Sequence, residues 1–434
     1  MSDKSPKILV FTVSAWNKRV GSNTWPSLLG QYNSENIANI CIRDEIPDSP
    51  VCSRYFVVSE NKVLKSVFKR NIKTGREVLP ILDDEINVVS EDLKEHNARY
   101  RKMKAKRRYT MLLGRELAWK LGKWHSKELD DFLDDFKPDI ILHSMEGYIH
   151  LNRIIQYAIK RTSARAIGYI WDDNFTYKQS KKLGHKIYRF FQRRSLKKLA
   201  RNTNAFFAIS DMTKVEADSF FEIDCRVLTK PLNHIPKVEN KETEKPLRIL
   251  YTGNLLIGRD KSLVRVVNAI KTWFKGTFVI DVYTQTELSD EKKYIIEDGG
   301  VCFVNSAIPQ NEVLEKQKKA DILLFLEDID GPDSHTARLS FSTKITDYLS
   351  SGKCIFAVGC AETAPMQYFI ENRAAIVASS DNEIVEKLQE IAADTSILHD
   401  YAERARDTGI KNHSKEKVLN TFNETIISVL KEIK

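Results

Sequence analysis

The sequence predicts an α/β protein built from two doubly wound, parallel-sheet domains, on three observations. The chain is 434 residues long, more than one core ordinarily supports, and 42% of it is hydrophobic, enough to build two. Short apolar runs alternate with helical stretches along the chain, the pattern of parallel strands joined by crossover helices. Residues 231–246, PLNHIPKVENKETEKP, are Pro-rich, charged and almost free of apolar side chains, so they read as a linker between two such alternations.

Each element follows in order. KILVFTV opens the first domain (1–230) as a buried strand and NIANICI follows it. A long helical region is expected from about residue 101 to 136, after which PDIILH, ARAIGYIW and NAFFAIS supply strands and CRVLTK closes the domain. Past the linker, the second domain (247–410) restarts with RILYTG. FVIDVYT, VCFVNS, DILLFL, CIFAVG and AAIVA follow, separated by helical stretches such as KSLVRVVNAIKTWF and NEVLEKQKKA. Residues 411–434 end in HSKEKVLNTFNETIISVLKEI, an amphipathic helix expected to pack back on the first domain.

Sheets of this kind bind ligands at the carboxyl ends of their strands, so the site is expected in a cleft between the domains. Several chemistries are disfavoured by missing motifs. No Gly-x-Gly occurs, which removes the dinucleotide fingerprint, and no Gly-Lys-Ser/Thr loop is present for a Walker-type phosphate site. His-Glu-x-x-His and Gly-x-Ser-x-Gly are likewise missing. The cysteines Cys41, Cys52, Cys225, Cys302, Cys354 and Cys360 are scattered without a Cys-x-x-Cys pair, which fits core thiols in a reducing cytosol. MSDKSPKILVFTV passes from a polar tail into a strand without an apolar signal core, and no run of 18 apolar residues occurs. A cytoplasmic location is therefore expected.

Charge is concentrated. Residues 178–201, KQSKKLGHKIYRFFQRRSLKKLAR, hold ten Lys/Arg and no Asp/Glu, more than the whole chain's net charge of +9. Leu183, Ile187, Phe190 and Phe191 fall on one helical face between these charges. A second basic stretch, RYRKMKAKRRY, occupies 99–109. The basic helix suits a solvated face packed on its own domain, an anionic membrane surface at the inner face of the cell membrane, or, less well for want of a recognition module, nucleic acid. No nucleic-acid partner is expected.

Residues 341–353, FSTKITDYLSSGK, read as one or two helical turns, with Ile345, Tyr348 and Leu349 at helical spacing, Ser342 at the N-cap and Gly352 just past the end. Hydroxyls and free N–H groups at such a start suit an anion, and Asp347 then faces any hydroxyl-bearing group beside it. An ordinary capped helix has the same pattern.

YTGNLLIGRDKSL (251–263) followed by FSTKITDYLSSGK resembles the donor half of GT-B-fold glycosyltransferases, in particular retaining family 4 enzymes that assemble bacterial capsule, cell-wall or exopolysaccharide chains. PDIILHSMEG, IGYIWDD and FFAISDMTKVEA with VLTKP extend the resemblance over most of the chain. It implies two Rossmann-like domains facing a cleft and transfer of a sugar from a UDP-, GDP- or dTDP-linked donor to a lipid-linked or glycan acceptor. It also implies retention, with the leaving phosphate helping to deprotonate the acceptor.

Residue by residue, Gly253 matches the family glycine, Asn254 stands where an Arg is common, and Lys261 matches the family Lys, with Arg259 near enough to replace the missing charge. Cations there would stabilise the departing diphosphate. Ser342, Thr343 and Lys344 match the diphosphate-binding helix start, and Asp347 matches the carboxylate that holds the ribose. The family's donor-sugar Glu is replaced by Leu339, which leaves Asp330, Asp333 and His335 of the preceding loop as candidates. His143 matches a His beside the donor sugar, and Glu146, Asp172, Asp173 and Gly21 are expected on the acceptor side. Asp328-Ile-Asp330 is an Asp-x-Asp, but no metal and no other cofactor is expected, because the cations already supply the positive field. Two other readings share the architecture: a nonhydrolysing sugar-nucleotide epimerase, and a non-catalytic GT-B-like partner subunit.

Overall fold

The computed structural model describes residues 5–16, 24–81, 109–232, 235–239, 243–331 and 333–431. They form two compact units, Met1–Leu228 with Asn420–Lys434, and Thr229–Leu419.

The first unit is an eight-stranded sheet: β1 Ile8–Thr12, β2 Ile37–Cys41, β3 Arg54–Val58, β4 Gly75–Val78, β5 Ile140–Ser144, β6 Arg165–Ile170, β7 Ala205–Ala208 and β8 Cys225–Val227. Its order is β4-β3-β2-β1-β5-β6-β7-β8, with every neighbouring pair parallel except β3 and β4. β1, β2 and β5 are buried at every position, because helices cover both faces and leave no solvent side on which polar residues could alternate. The chain works outward from β1 to β4 and then returns to β5 on the other side of β1. The strand order therefore reverses at β1, which places the topological switch point of this sheet between β1 and β5.

The single helical region expected up to residue 136 is two helices, Tyr109–Leu121 and Lys127–Phe136, and residues 101–108 lie outside the described residues. The break falls at Gly122, where a Cβ would lie 2.5 Å from the Val63 carbonyl oxygen. Ser126 then starts the next helix by accepting the Leu129 N–H on its hydroxyl.

The second unit is a six-stranded, wholly parallel sheet of β9 Leu247–Thr252, β10 Phe278–Thr284, β11 Cys302–Ser306, β12 Ile322–Leu326, β13 Cys354–Val358 and β14 Ile376–Ala378. The order β11-β10-β9-β12-β13-β14 is that of a dinucleotide-binding domain, with its switch point between β9 and β12. β12 and β13 are buried throughout, whereas β10, next to the edge strand, alternates buried and half-buried positions. Ile249, Ile280, Leu324 and Phe356 from the sheet pack with Leu263, Val267, Ile384 and Leu388 from its helices.

Part of the linker is tied down within this unit. The Leu232 N–H donates to the His413 carbonyl at 2.9 Å, Thr229 and His413 share a side-chain hydrogen bond of 2.6 Å, and Arg406 Nε donates to the Pro236 carbonyl. The last helix, Lys415–Lys431, starts in the second unit, and its residues from Asn420 onward belong to the first. There Phe422 is buried against Phe207, and Tyr32 donates its hydroxyl hydrogen to Asn423. All six cysteines are free, five of them buried. Among the described residues no helix is long and apolar enough to cross a membrane.

Candidate functional site

The switch point of the second unit gathers the charged residues. β9 ends in Thr252 and runs into Gly253, whose φ of +139° lies where L-residues rarely go. Gly253 is required for space as well. A Cβ there would lie 2.0 Å from Lys344 Nζ and 2.4 Å from Cε, so the lysine side chain occupies the room that the glycine leaves. Lys344 Nζ sits 4.6 Å over the Tyr251 ring and 3.4 Å from its hydroxyl. Burial, and then the positive charge of Arg259, lower its pKa to about 7, with Glu327 acting in the other direction.

Arg259 opens the helix Arg259–Trp273 behind Gly258, itself at φ +76°. Its guanidinium folds back over the strand ends. Nε donates to the Leu326 carbonyl at 3.1 Å, Nη1 to Asn254 Oδ1 at 2.9 Å and Nη2 to Glu327 Oε1 at 2.8 Å. Two of its five N–H donors remain for a ligand. Glu327, at the end of β12, is 5% exposed, and its carbonyl accepts from Ser262. The cluster of Arg259, Lys344 and Glu327 thus carries more positive than negative charge.

Lys261 does not join it. Residues two apart on a helix point to different sides, so with Arg259 turned onto the strand ends, Lys261 is left exposed on another face. The sequence pairs Lys261 with Arg259, whereas the ammonium group that the structure buries near Arg259 is that of Lys344.

Ser342 caps the helix Thr343–Leu349 by accepting the Lys344 N–H at 3.3 Å, and Thr343 is half-buried behind it. Asp347 pairs with Lys230 at 2.8 Å. The two carboxylates of the Asp-x-Asp go separate ways. Asp328 is wedged between two glycines, for a Cβ on Gly258 or on Gly331 would come within 2.4 Å of its carboxylate, and it accepts the Asp333 N–H. Asp330 pairs with Arg265 at 2.6 Å. Asp333 accepts the Thr336 N–H on its carbonyl and so closes a turn, and His335 is exposed. Leu339 is fully buried in the core. Among the described residues no group of three His, Cys, Asp or Glu is placed to hold a metal ion.

In the first unit, Glu146 and Asp172 follow β5 and β6 at their carboxyl ends, both half-buried. Burial, and then the Asp172 carboxylate, push Glu146 up to about 7, against Trp171, Ser144 and Arg43. Two expectations need correction here. His143 lies within β5, fully buried, with Nε2 3.1 Å from the Thr203 hydroxyl, and burial pulls its pKa down to about 4. It is packed in the sheet. Asp173 is also buried and accepts the Thr176 N–H and hydroxyl, so it fixes a turn and faces no open space. Gly21 lies outside the described residues. Glu327, Tyr251 and Lys230 were not singled out from the sequence. Glu327 carried the one available signal, an acidic residue directly after the apolar run DILLFL.

No family model matches the sequence, and no curated protein matches it. Solved structures match in shape. Sucrose-phosphate synthase from Thermosynechococcus elongatus aligns at 10% identity over 98% of this chain and 99% of that one, with a TM-score of 0.62. HepE from Anabaena, solved with UDP-glucose, aligns at 10% identity over 98% and 100%, with a TM-score of 0.60. The lipopolysaccharide outer core galactosyltransferase WaaB aligns at 13% identity over 97% and 99%, with a TM-score of 0.56. At these identities it is the backbone that is alike, and two Rossmann-like domains in this arrangement along the chain are the GT-B fold of glycosyltransferases.

Proposed function

We propose that the protein is a glycosyltransferase that moves a sugar from a nucleotide-sugar donor to a lipid-linked or glycan acceptor, with retention, in the synthesis of a cell-surface polysaccharide. One observation carries this reading: Lys344 and Arg259 converge beside Gly253 at the switch point of a Rossmann-like sheet, with a single carboxylate, Glu327, against them. A cationic cluster with too few anions is suited to a polyanion, and the diphosphate of a nucleotide sugar fits that demand.

In this reading the Lys344 ammonium group and the two remaining donors of Arg259 hold the diphosphate, together with the amide at Thr343. Asp347 leaves Lys230 to take the ribose hydroxyls. The acceptor hydroxyl attacks the sugar's anomeric carbon as its bond to the diphosphate oxygen breaks, and the acceptor proton passes to that leaving oxygen. Negative charge grows on the diphosphate during this step, so cations fixed in advance stabilise the transition state more than the bound donor. Glu146 and Asp172 are assigned to the acceptor hydroxyls. The likeness to HepE, which binds UDP-glucose, supports a UDP-linked donor.

The test is a panel of UDP-, GDP- and dTDP-sugars screened by thermal shift, where a donor at a hundred times its Kd stabilises the fold by about 2.7 kcal/mol. The stabilising sugar nucleotide is then offered with glycan and lipid-linked acceptors. Release of nucleoside diphosphate that depends on acceptor supports the proposal. Conversion of the sugar nucleotide to an isomer without acceptor would make the protein an epimerase instead. Stabilisation by no member of the panel would overturn the assignment of the site.

A further inference from the structure

Away from the strand ends, three helices of the first unit, Tyr109–Leu121, Ile149–Thr162 and Leu183–Ala200, enclose a surface groove of about 620 Å³. Leu113, Leu117, Ile149 and Phe191 supply its apolar lining. Lys120, Arg153, Lys160, Arg194 and Lys198 stand around it. The one carboxylate in its wall, Glu116, is buried and already engaged by the backbone N–H and Nδ1 of His150, both at 2.9 Å. A second hollow, lined by Tyr177, Lys186, Ile187, Phe190 and Phe191, continues the same surface, with Phe191 common to both.

The structure sorts the ten basic residues of 178–201 by what they touch. Lys178 pairs with Glu216 at 2.9 Å, and Arg189 is buried. Arg193 stacks on Phe220 and Tyr177 and donates to the Phe175 carbonyl. Lys197 lies over the same Phe220 ring, 4.7 Å from its centroid. These four are engaged within the unit. Lys181, Lys182, Lys186, Arg194, Lys198 and Arg201 are exposed, with no carboxylate partner among the described residues. Between them Leu183 is 73% exposed and Phe190 53%, and Leu117 on the neighbouring helix is 57% exposed. Large apolar side chains left this open beside unpaired cations form a patch that burial within the unit does not explain.

We propose that this three-helix face docks on a bilayer of anionic phospholipid, with the groove receiving part of a lipid. Charge complementarity selects the occupant. A bilayer interface offers phosphate at the surface and hydrocarbon just beneath it, and here cations rim an apolar floor in that same order. Trp124 and Tyr157, at the groove wall, are the amphipathic rings that favour such a boundary. Nucleic acid would use the cations and leave Leu117, Leu183 and Ile187 without a role. This inference stands independently of the sugar-transfer reading.

Co-sedimentation with vesicles of phosphatidylcholine alone, or with phosphatidylglycerol added, tests it. The protein is expected to sediment only with the anionic vesicles. Lys120→Gln with Arg194→Gln and Lys198→Gln should lower the partition coefficient about a hundredfold, from roughly fivefold per basic residue. Leu117→Ser with Phe191→Ser should lower it at least tenfold with all charges kept. Lys65→Gln with Lys69→Gln and Arg70→Gln removes the same charge elsewhere on the unit and should change it less than twofold. All these residues are exposed, and unchanged thermal unfolding confirms that the variants are folded. Equal loss in the two charge sets, wild-type binding by the apolar variant, or binding to RNA but not to anionic vesicles would each overturn the proposal.

Discussion

Replacing Gly253 with Ala tests whether Lys344 is the group that holds the donor. Two costs can be separated in advance. The first is backbone strain: φ +139° is a conformation that alanine rarely adopts, and forcing it costs roughly 1–3 kcal/mol of stability. The second is steric. The new methyl would lie 2.0 Å from Lys344 Nζ, far inside contact distance, so the ammonium group must leave its place over Tyr251. A hydrogen bond from a charged donor is worth about 1.5–3 kcal/mol, so its loss should weaken nucleotide-sugar binding about 10- to 150-fold. Gly276→Ala is the matched control, since Gly276 also has a positive φ, +83°, but nothing lies within 4 Å of its Cβ position. Titration calorimetry with the stabilising sugar nucleotide should give weakened binding for Gly253→Ala and wild-type binding for Gly276→Ala, both on folded protein. Wild-type affinity in folded Gly253→Ala would refute the placement of the diphosphate beside Lys344.

The remaining predictions concern charge. Lys344 has a pKa lowered to about 7 and faces Arg259, Glu327 and Tyr251, so above pH 7 a bound diphosphate must draw a proton onto it; donor affinity should fall by about tenfold per pH unit there, and Lys344→Met should abolish the slope. Without ligand the sign reverses: between pH 7 and the ordinary lysine value the unfolded chain binds the extra proton, so this group's contribution to stability, read by chemical denaturation, should rise with pH and vanish in Lys344→Met. Lys261→Ala should change turnover less than threefold, as for an exposed surface residue, whereas a loss of two orders of magnitude would return Lys261 to the site. Turnover should survive EDTA, because Asp328 and Asp330 are committed to different partners and two cations already face the proposed diphosphate position; loss restored by Mn²⁺ would mean that the site is wrongly placed.

What the sequence reveals here, and what it hides, follows from how far each signal reaches along the chain. Strands buried on both faces announce themselves as apolar runs, so ILVFT and ILLFL are legible at once. GREV, an antiparallel edge strand with exposed Arg76 and Glu77, carries no such run and is not legible. The cap at Ser342 was legible because it is a relation within a few residues. Lys344 was legible only as a neighbour of Ser342 in a motif; its chemistry comes from Gly253 and Tyr251, some ninety residues away, and no local pattern encodes that meeting. The same limit applies at Lys261. Motif order places a cation after the first strand without saying which of two residues on one turn faces the strand ends, and Glu327, at the end of β12, decides it by holding Arg259 inward. His143 shows a related limit: a strand-end histidine and a strand-interior one read alike in sequence, and this one is fully buried within β5 with its Nε2 at hydrogen-bond distance from the Thr203 hydroxyl. Sequence thus locates the switch point of the sheet, where ligands bind, while the identity of the binding groups is set by contacts between the ends of β9 and β12, which are adjacent in the sheet and distant in the chain.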